Sequence, residues 1–138
     1  MRIVLDTNIV LDLLHFRDRD AAPLERALNE GDCYTDDDCL AELARVLAYP
    51  EFSLDAARQA AHLDDYRRRA RLSNAEGPEN YALPRCRDTD DQKFLVLAAR
   101  CRADLLVTRD RLLLRIGHFA TGAQRCRIVT AQDAATLL

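Results

Sequence analysis

The sequence predicts an α/β protein, a three-layer α/β/α sandwich around a central, mainly parallel sheet. Two observations carry this. Short apolar, partly β-branched runs alternate along the chain with stretches of helical periodicity, the pattern of strands joined by helical crossovers that cover both faces of a sheet. At 138 residues, with 49% apolar and 31% charged, the chain has the size and composition of one ordinary domain, so residues 1–138 are read as a single unit.

Taken in order, Arg2-Ile3-Val4-Leu5 is a strand that ends abruptly in Asp6-Thr7-Asn8, after which Ile9, Leu11, Leu13 and Leu14 resume as a helix. A second helix spans about Asp20 to Glu30, with Pro23 in its first turn and Gly31 as its stop. Cys33-Tyr34-Thr35 fits a short strand. From Asp36, the spacing of Leu40, Leu43, Ala44 and Leu47 is helical and closes near Tyr49-Pro50. Ser53 is the expected N-cap of the next helix, which carries Leu54, Ala57, Ala61 and Tyr66 and runs to about Leu72. Ser73 to Pro84, with Gly77 and Pro78, reads as a loop. Asp88 then opens a helix through Phe94, Leu95, Leu97 and Ala98, and Ala103 to Thr108 forms a strand. A short helical turn, a strand at Arg127-Ile128-Val129 and a helix from Ala131 to Leu138 follow.

Composition excludes several chemistries. Gly31, Gly77, Gly117 and Gly122 are too scattered to build a phosphate-cradling loop, and Lys93 has no glycine before it, so ATP and NAD binding are not expected. The longest uncharged run, Ile116 to Gln124, falls far short of the ~20 residues that span a bilayer. Asp6 and Asp12 interrupt what would otherwise be the apolar core of a secretory signal, and a cytoplasmic location is expected. Five cysteines without zinc-knuckle spacing read as free structural thiols, and His15, His62 and His118 are too dispersed for a Cys/His metal site. Any metal would have to be held by oxygen.

Oxygen is abundant. Asp outnumbers Glu 17 to 6. Two predicted strands run into aspartate at their carboxyl ends, Ile3-Val4-Leu5 into Asp6 and Leu105-Leu106-Val107-Thr108 into Asp110, and parallel pairing would put both on the ligand-binding edge of the sheet. Asp88-Thr89-Asp90-Asp91 opens the intervening helix, where one carboxylate would suffice for capping. Glu42 points roughly opposite the Leu40, Leu43, Leu47 stripe, so pattern alone makes it a solvated glutamate. Convergent carboxylates raise one another's pKa, and a hard divalent cation such as Mg²⁺ or Mn²⁺ removes the conflict and supports hydrolysis of a phosphodiester.

The ordered set Val4-Leu5-Asp6-Thr7-Asn8, Asp36 through Glu42-Leu43-Ala44, Cys86-Arg87-Asp88-Thr89-Asp90-Asp91-Gln92-Lys93-Phe94-Leu95 and Leu106-Val107-Thr108-Arg109-Asp110 resembles the motifs of the PIN-domain ribonucleases, and within them the VapC-like toxin components of bacterial toxin–antitoxin pairs. The likeness covers essentially the whole chain. It implies a PIN-like fold and an Mg²⁺- or Mn²⁺-dependent endoribonuclease whose catalytic and metal-binding acids are Asp6, Glu42, Asp91 and Asp110. It favours Asp91 over Asp88, with Asp88 and Asp90 as further candidates, and makes Asn8 and Thr108 polar neighbours. It also implies an RNA substrate, a cognate antitoxin partner and a homodimer, with no membrane association. One position departs: many relatives carry another acid two residues after the last aspartate, where this chain has Leu112, so a second metal would be weakly held.

Arg85, Arg87, Arg109 and Arg111 lie nearest the acids in sequence and are the expected RNA contacts, while Arg67, Arg68, Arg69 and Arg71 suit either phosphate or a helix C-terminus. With a net charge of -3, broad nonspecific nucleic-acid binding is not expected. A haloacid-dehalogenase-type phosphatase would need a second Asp where Asn8 stands. The remaining alternative is a catalytically impaired PIN-like module that works through protein partners.

Overall fold

In the computed structural model, which describes residues 1–138, strands and helices alternate as the periodicity predicts. Six strands make one sheet: β1 (Ile3–Leu5), β2 (Cys33–Thr35), β3 (Arg71–Leu72), β4 (Leu105–Val107), β5 (His118–Thr121) and β6 (Gln124–Val129), in the order β3-β2-β1-β4-β6-β5. Every neighbouring pair is parallel except β5 with β6. The helices are α1 (Thr7–Leu11), α2 (Ala22–Asn29), α3 (Asp37–Leu47), α4 (Ala56–Arg69), α5 (Gln92–Cys101), α6 (Arg111–Ile116) and α7 (Ala131–Leu137).

The period of two along the strands creates the layers. Ile3, Leu5, Leu105 and Val107 face one way, into a core with Ile9, Leu24, Leu28, Leu40, Leu43, Leu47 and Ala134. Val4, Leu106 and Ile128 face the other way, onto Phe94, Leu95, Leu97 and Leu113. Burial on both faces explains why β1 and β4 contain no polar residue. No helix is long and apolar enough to cross a membrane. All five cysteines are unpaired and four are buried. Burial pushes the Cys33 and Cys126 thiols up to about 12, which leaves them as small apolar fillers.

Several local expectations are corrected. Ser53 does not cap α4: it ends the 3₁₀ turn Pro50–Phe52 with φ of 50°, and Asp55 caps the helix by accepting the Arg58 N–H at 2.8 Å. That helix stops at Arg69 rather than Leu72, because Arg71–Leu72 extends and pairs with β2 as β3. β5 has no counterpart among the strands the sequence pattern predicts. It joins β6 through Gly122, whose φ of 71° at the first of two loop positions suits a tight antiparallel hairpin that an L side chain would strain. After Leu11 the first helix widens into a π-helical turn over Asp12–Phe16 and ends at Arg17 in the left-handed region.

Between Leu72 and Thr89 the chain has no regular element, in agreement with the predicted loop. Two side chains on α5 tie it down: Gln92 accepts the Cys86 N–H at 2.9 Å and donates to Pro84 O at 3.0 Å, and Arg100 holds the earlier part. Arg100 gives Nε and Nη2 to the Glu79 carboxylate, each at 2.7 Å, and Nη1 to Ser73 O and to the buried Asp36 at 2.9 Å. This fork anchors the first half of the loop, Ser73 to Glu79, to the end of β2.

Candidate functional site

The carboxyl ends of β1 and β4 lie side by side, with Leu5 in register with Val107. The next residue of each strand is polar and buried: Asp6 is 4% exposed and Thr108 fully enclosed. Asp6 stands at the N-cap position of α1, and its Oδ2 accepts the Thr108 hydroxyl at 2.7 Å. The same Thr108 oxygen accepts the Asp110 N–H at 2.9 Å. Asp110 caps α6, its Oδ1 accepting the N–H groups of Leu112 and Leu113 at 2.7 and 3.3 Å. The capping role expected of an aspartate at a helix start is therefore real, and it occupies one carboxylate oxygen and leaves the other.

Asp91 comes to the same place from the opposite layer. It ends the 3₁₀ turn Thr89–Asp91, which Asp88 caps by accepting the Asp90 N–H at 3.0 Å, and it makes no capping bond of its own. Burial first, then the Asp6 charge, a hydrogen bond shared with Asp110 and the charges of Asp110 and Asp88, push the Asp91 carboxyl up to about 7. Burial also raises Asp6 above the usual carboxylate range, helped by Glu42 and Asp110 and opposed by the Thr108 hydrogen bond and the Thr7 backbone. Asp6, Asp91, Asp110 and Glu42 thus share one electrostatic environment.

Glu42 corrects the expectation of a solvated residue. Its side chain is 13% exposed, because the face of α3 away from Leu40, Leu43 and Leu47 turns toward α1 and α5. Glu42 Oε1 lies 2.8 Å from Lys93 Nζ, and Oε2 accepts the Thr7 hydroxyl. Thr7 and Lys93 had no signal in the pattern: each is a polar residue beside a candidate acid, and only the fold brings them together.

The remaining candidates are more peripheral. Asn8 is exposed in the first turn of α1, and Asp88 and Asp90 are exposed beside Asp91. Arg109 is turned to Asp12, with Nε 2.9 Å from Oδ2 and Nη2 3.2 Å from Oδ1, a forked pair at the start of the π turn. Despite this partner, burial keeps Asp12 above its ordinary pKa. Arg111 is exposed at the start of α6. Arg85 and Arg87 line an open concavity of about 360 Å³ with Leu112, Arg115 and Ile116. In the Arg67 to Arg71 cluster, Arg68 pairs with Asp64 at 3.0 Å, and Arg69 ties α4 to α2 through Glu25 and Asn29 while holding Asp65 on its own helix. Those two guanidiniums serve the fold.

The donor chemistry fits a hard divalent cation. The acids offer oxygen alone, and their mutual repulsion and burial are what a bound cation relieves. No three His, Cys, Asp or Glu side chains are gathered into a ready ligand cage, so Asp6, Asp91 and Asp110 as well as Glu42, which Lys93 and Thr7 hold, would have to adjust around an ion. Asp6, Asp91 and Asp110 could take the ion with that adjustment alone, and Glu42 after a change of partner.

Known proteins agree with this architecture. One chain of the crystal structure of VapBC2 from Rickettsia felis bound to a DNA fragment from their promoter superposes with a TM-score of 0.58 at 19% identity, covering 84% of this chain and 93% of that one. At that identity the likeness speaks for the fold. A comparison with curated proteins gives no match. The family model described as PIN domain matches residues 2–112, a span that runs from β1 through Asp6, Glu42, Asp91 and Asp110 to Leu112, and on that match the chain belongs to the PIN domain family.

Proposed function

We propose that the chain is a metal-dependent endoribonuclease, the VapC-like toxin of a type II toxin–antitoxin pair, acting in the cytoplasm as one PIN unit over residues 1–138. The observation that carries the reading is the junction of Asp6 and Asp110 at the ends of two adjacent parallel strands with Asp91 at the start of α5, whose carboxyl is pushed up to about 7 by burial and then by the other two. Acids this close are costly to keep unless they hold something positive. Membership of the PIN domain family supports nuclease chemistry, and the fold shared with a chain of a VapBC complex supports an antitoxin partner.

When bound, Mg²⁺ or Mn²⁺ would activate water and stabilise the leaving oxygen of the phosphodiester. The protein's own part is positional. Thr108 fixes Asp6 and Asp110 relative to each other, the α6 N-terminus fixes one oxygen of Asp110, and Asp91 gives up its proton near neutrality so that its carboxylate can join the set. Arg85, Arg87 and Arg115 provide forks for RNA phosphates in the concavity they line with Leu112 and Ile116. Leu112 forms part of that lining where many relatives carry an acid, which favours one firmly held ion over two.

Purified protein should cut RNA with Mg²⁺ or Mn²⁺, and EDTA or Asp6→Asn should abolish cutting. Cleavage that survives both would falsify the proposal. The second reading, an impaired module acting through protein partners, draws on Leu112 and on the engagement of Glu42; it prevails if Mn²⁺ titration shows no binding that depends on Asp91.

A further inference from the structure

Glu42 has both oxygens occupied by the protein itself. Oε1 receives the Lys93 ammonium at 2.8 Å and lies 3.9 Å from the Arg45 guanidinium, while Oε2 accepts the Thr7 hydroxyl. The Glu42 and Lys93 side chains are 13% and 21% exposed, so this pair is shielded from the water and salt that make surface pairs weak. Arg45, at 60% exposed and at the longer distance, is a minor partner.

Lys93 is the one lysine among 20 basic residues, and it sits in the first turn of α5, two positions after Asp91. Its ammonium also lies 5.9 Å from the centroid of the Phe94 ring. An ammonium on a flexible four-carbon stem is a point charge that can leave one carboxylate without moving its helix, whereas a guanidinium fork is held by geometry as well as charge. Lys93 therefore supplies a mobile cation to Glu42, whose charge acts on Asp6 from α3.

We propose that Lys93 is a positioning residue acting through Glu42: it is the internal counter-cation of the site, competes with the divalent ion for that carboxylate, and so sets how tightly the ion is held. The inference rests on the metal-site reading above. With Lys93 on Glu42 the apo protein keeps its acids partly neutralised. Entry of the ion exchanges one cation for another, and the ion's affinity is reduced by the exchange.

The test is a calorimetric Mn²⁺ titration of the wild type, Lys93→Met, Lys93→Arg and Asp91→Asn at constant ionic strength. A unit charge roughly 6 Å from a divalent ion is worth about one decade of affinity in a water-like dielectric, so Lys93→Met is expected to bind Mn²⁺ about tenfold more tightly. Lys93→Arg, which restores the charge, is expected to return toward the wild-type value, a rescue that a packing role would not produce. Melting in EDTA is the second readout: Lys93→Met should melt lower than the wild type and gain more from saturating Mn²⁺. Should the Met variant fail to fold, Lys93→Gln keeps a donor to Glu42 and should show the same tightening. Equal or weaker Mn²⁺ affinity in the charge-removed variant, beside Asp91-dependent binding in the wild type, overturns the proposal alone. Absence of Asp91-dependent binding in every protein removes the metal-site reading and this inference together.

Discussion

Thr108 donates its hydroxyl to Asp6 at 2.7 Å and with the same oxygen accepts the Asp110 N–H at 2.9 Å, so one enclosed side chain sets the spacing of two acids from neighbouring strands. Thr108→Val keeps the shape and removes both bonds. Leaving a buried amide and a buried carboxylate short of a partner should cost ~2 kcal/mol in urea unfolding. RNA cleavage should fall at least about tenfold, the loss expected when positioned groups drift. A variant with wild-type stability and cleavage would show that Thr108 does not organise the acids.

The Asp91 carboxyl gives the apo protein a pH signature. In the folded chain it keeps its proton up to about 7, while the unfolded chain releases it near the ordinary value of 3.8. The native state therefore binds more protons between those values, and the stability this group contributes is complete below the lower one and lost as pH rises through the upper one. Without metal, Asp91→Asn should abolish that slope. Because the carboxyl is only half-buried and solvent-screened, the gain above neutrality should be about 1 kcal/mol, or ~3 °C in melting temperature for a chain of this size. A wild-type melting curve in EDTA that is flat across this range would contradict the assignment.

Cation binding should follow the same proton in reverse. Mn²⁺ needs the Asp91 carboxylate, so its apparent affinity should weaken as pH falls below about 7 and binding should release protons. Titration in two buffers of different ionisation enthalpy measures that release. Asp91→Asn should eliminate it together with the binding.

Arg100 holds Glu79 below the usual carboxylate range and meets the buried Asp36 on its other side. Arg100→Met should free the Ser73 to Glu79 part of the loop and leave Asp36 without its cation, at a cost of ~3 kcal/mol. Limited trypsin digestion should then cut after Arg71, beside the freed segment, at least about tenfold faster than in the wild type, as a locally opened segment does. Unchanged digestion would mean that the loop is held by other contacts.

Arg87→Gln and Arg115→Gln should raise KM for RNA without changing Mn²⁺ affinity, and each should lower the slope of log affinity against log salt by about 1. A fall in kcat with unaltered salt dependence would place these side chains outside the RNA path.

The residues legible in the sequence are those whose environment is uniform. Ile3-Val4-Leu5 and Leu105-Leu106-Val107 are buried on both faces, so composition alone marks them as central strands, and the aspartates that follow are visible by position. Arg71 and Leu72 are both exposed in a two-residue strand, too short for any period to register, so pattern alone does not separate β3 from the preceding helix. In β5 the inward residues are Phe119 and Thr121, and His118 and Ala120 dilute the alternation. Glu42 was hidden for a different reason. Hydrophobic periodicity divides a helix into core and solvent, and α3 has a further face, toward a polar interior shared with Thr7 and Lys93, which the division cannot represent. Family likeness marked Glu42 as an acid of the site; only the fold identified its partners.

The two margins of the sheet differ in a way that bears on how the chain avoids its own copies. β3 offers an edge two residues long, carries Arg71, and passes straight into a segment pinned through Ser73 to Arg100. The opposite margin is the outer strand of a hairpin, four residues long, with His118 and Ala120 on its exposed face. Neither presents the long, flat, apolar border on which a foreign strand can nucleate. A nearly all-parallel sheet, whose non-local pairings form late, thereby keeps its unfinished borders short while the core is still assembling.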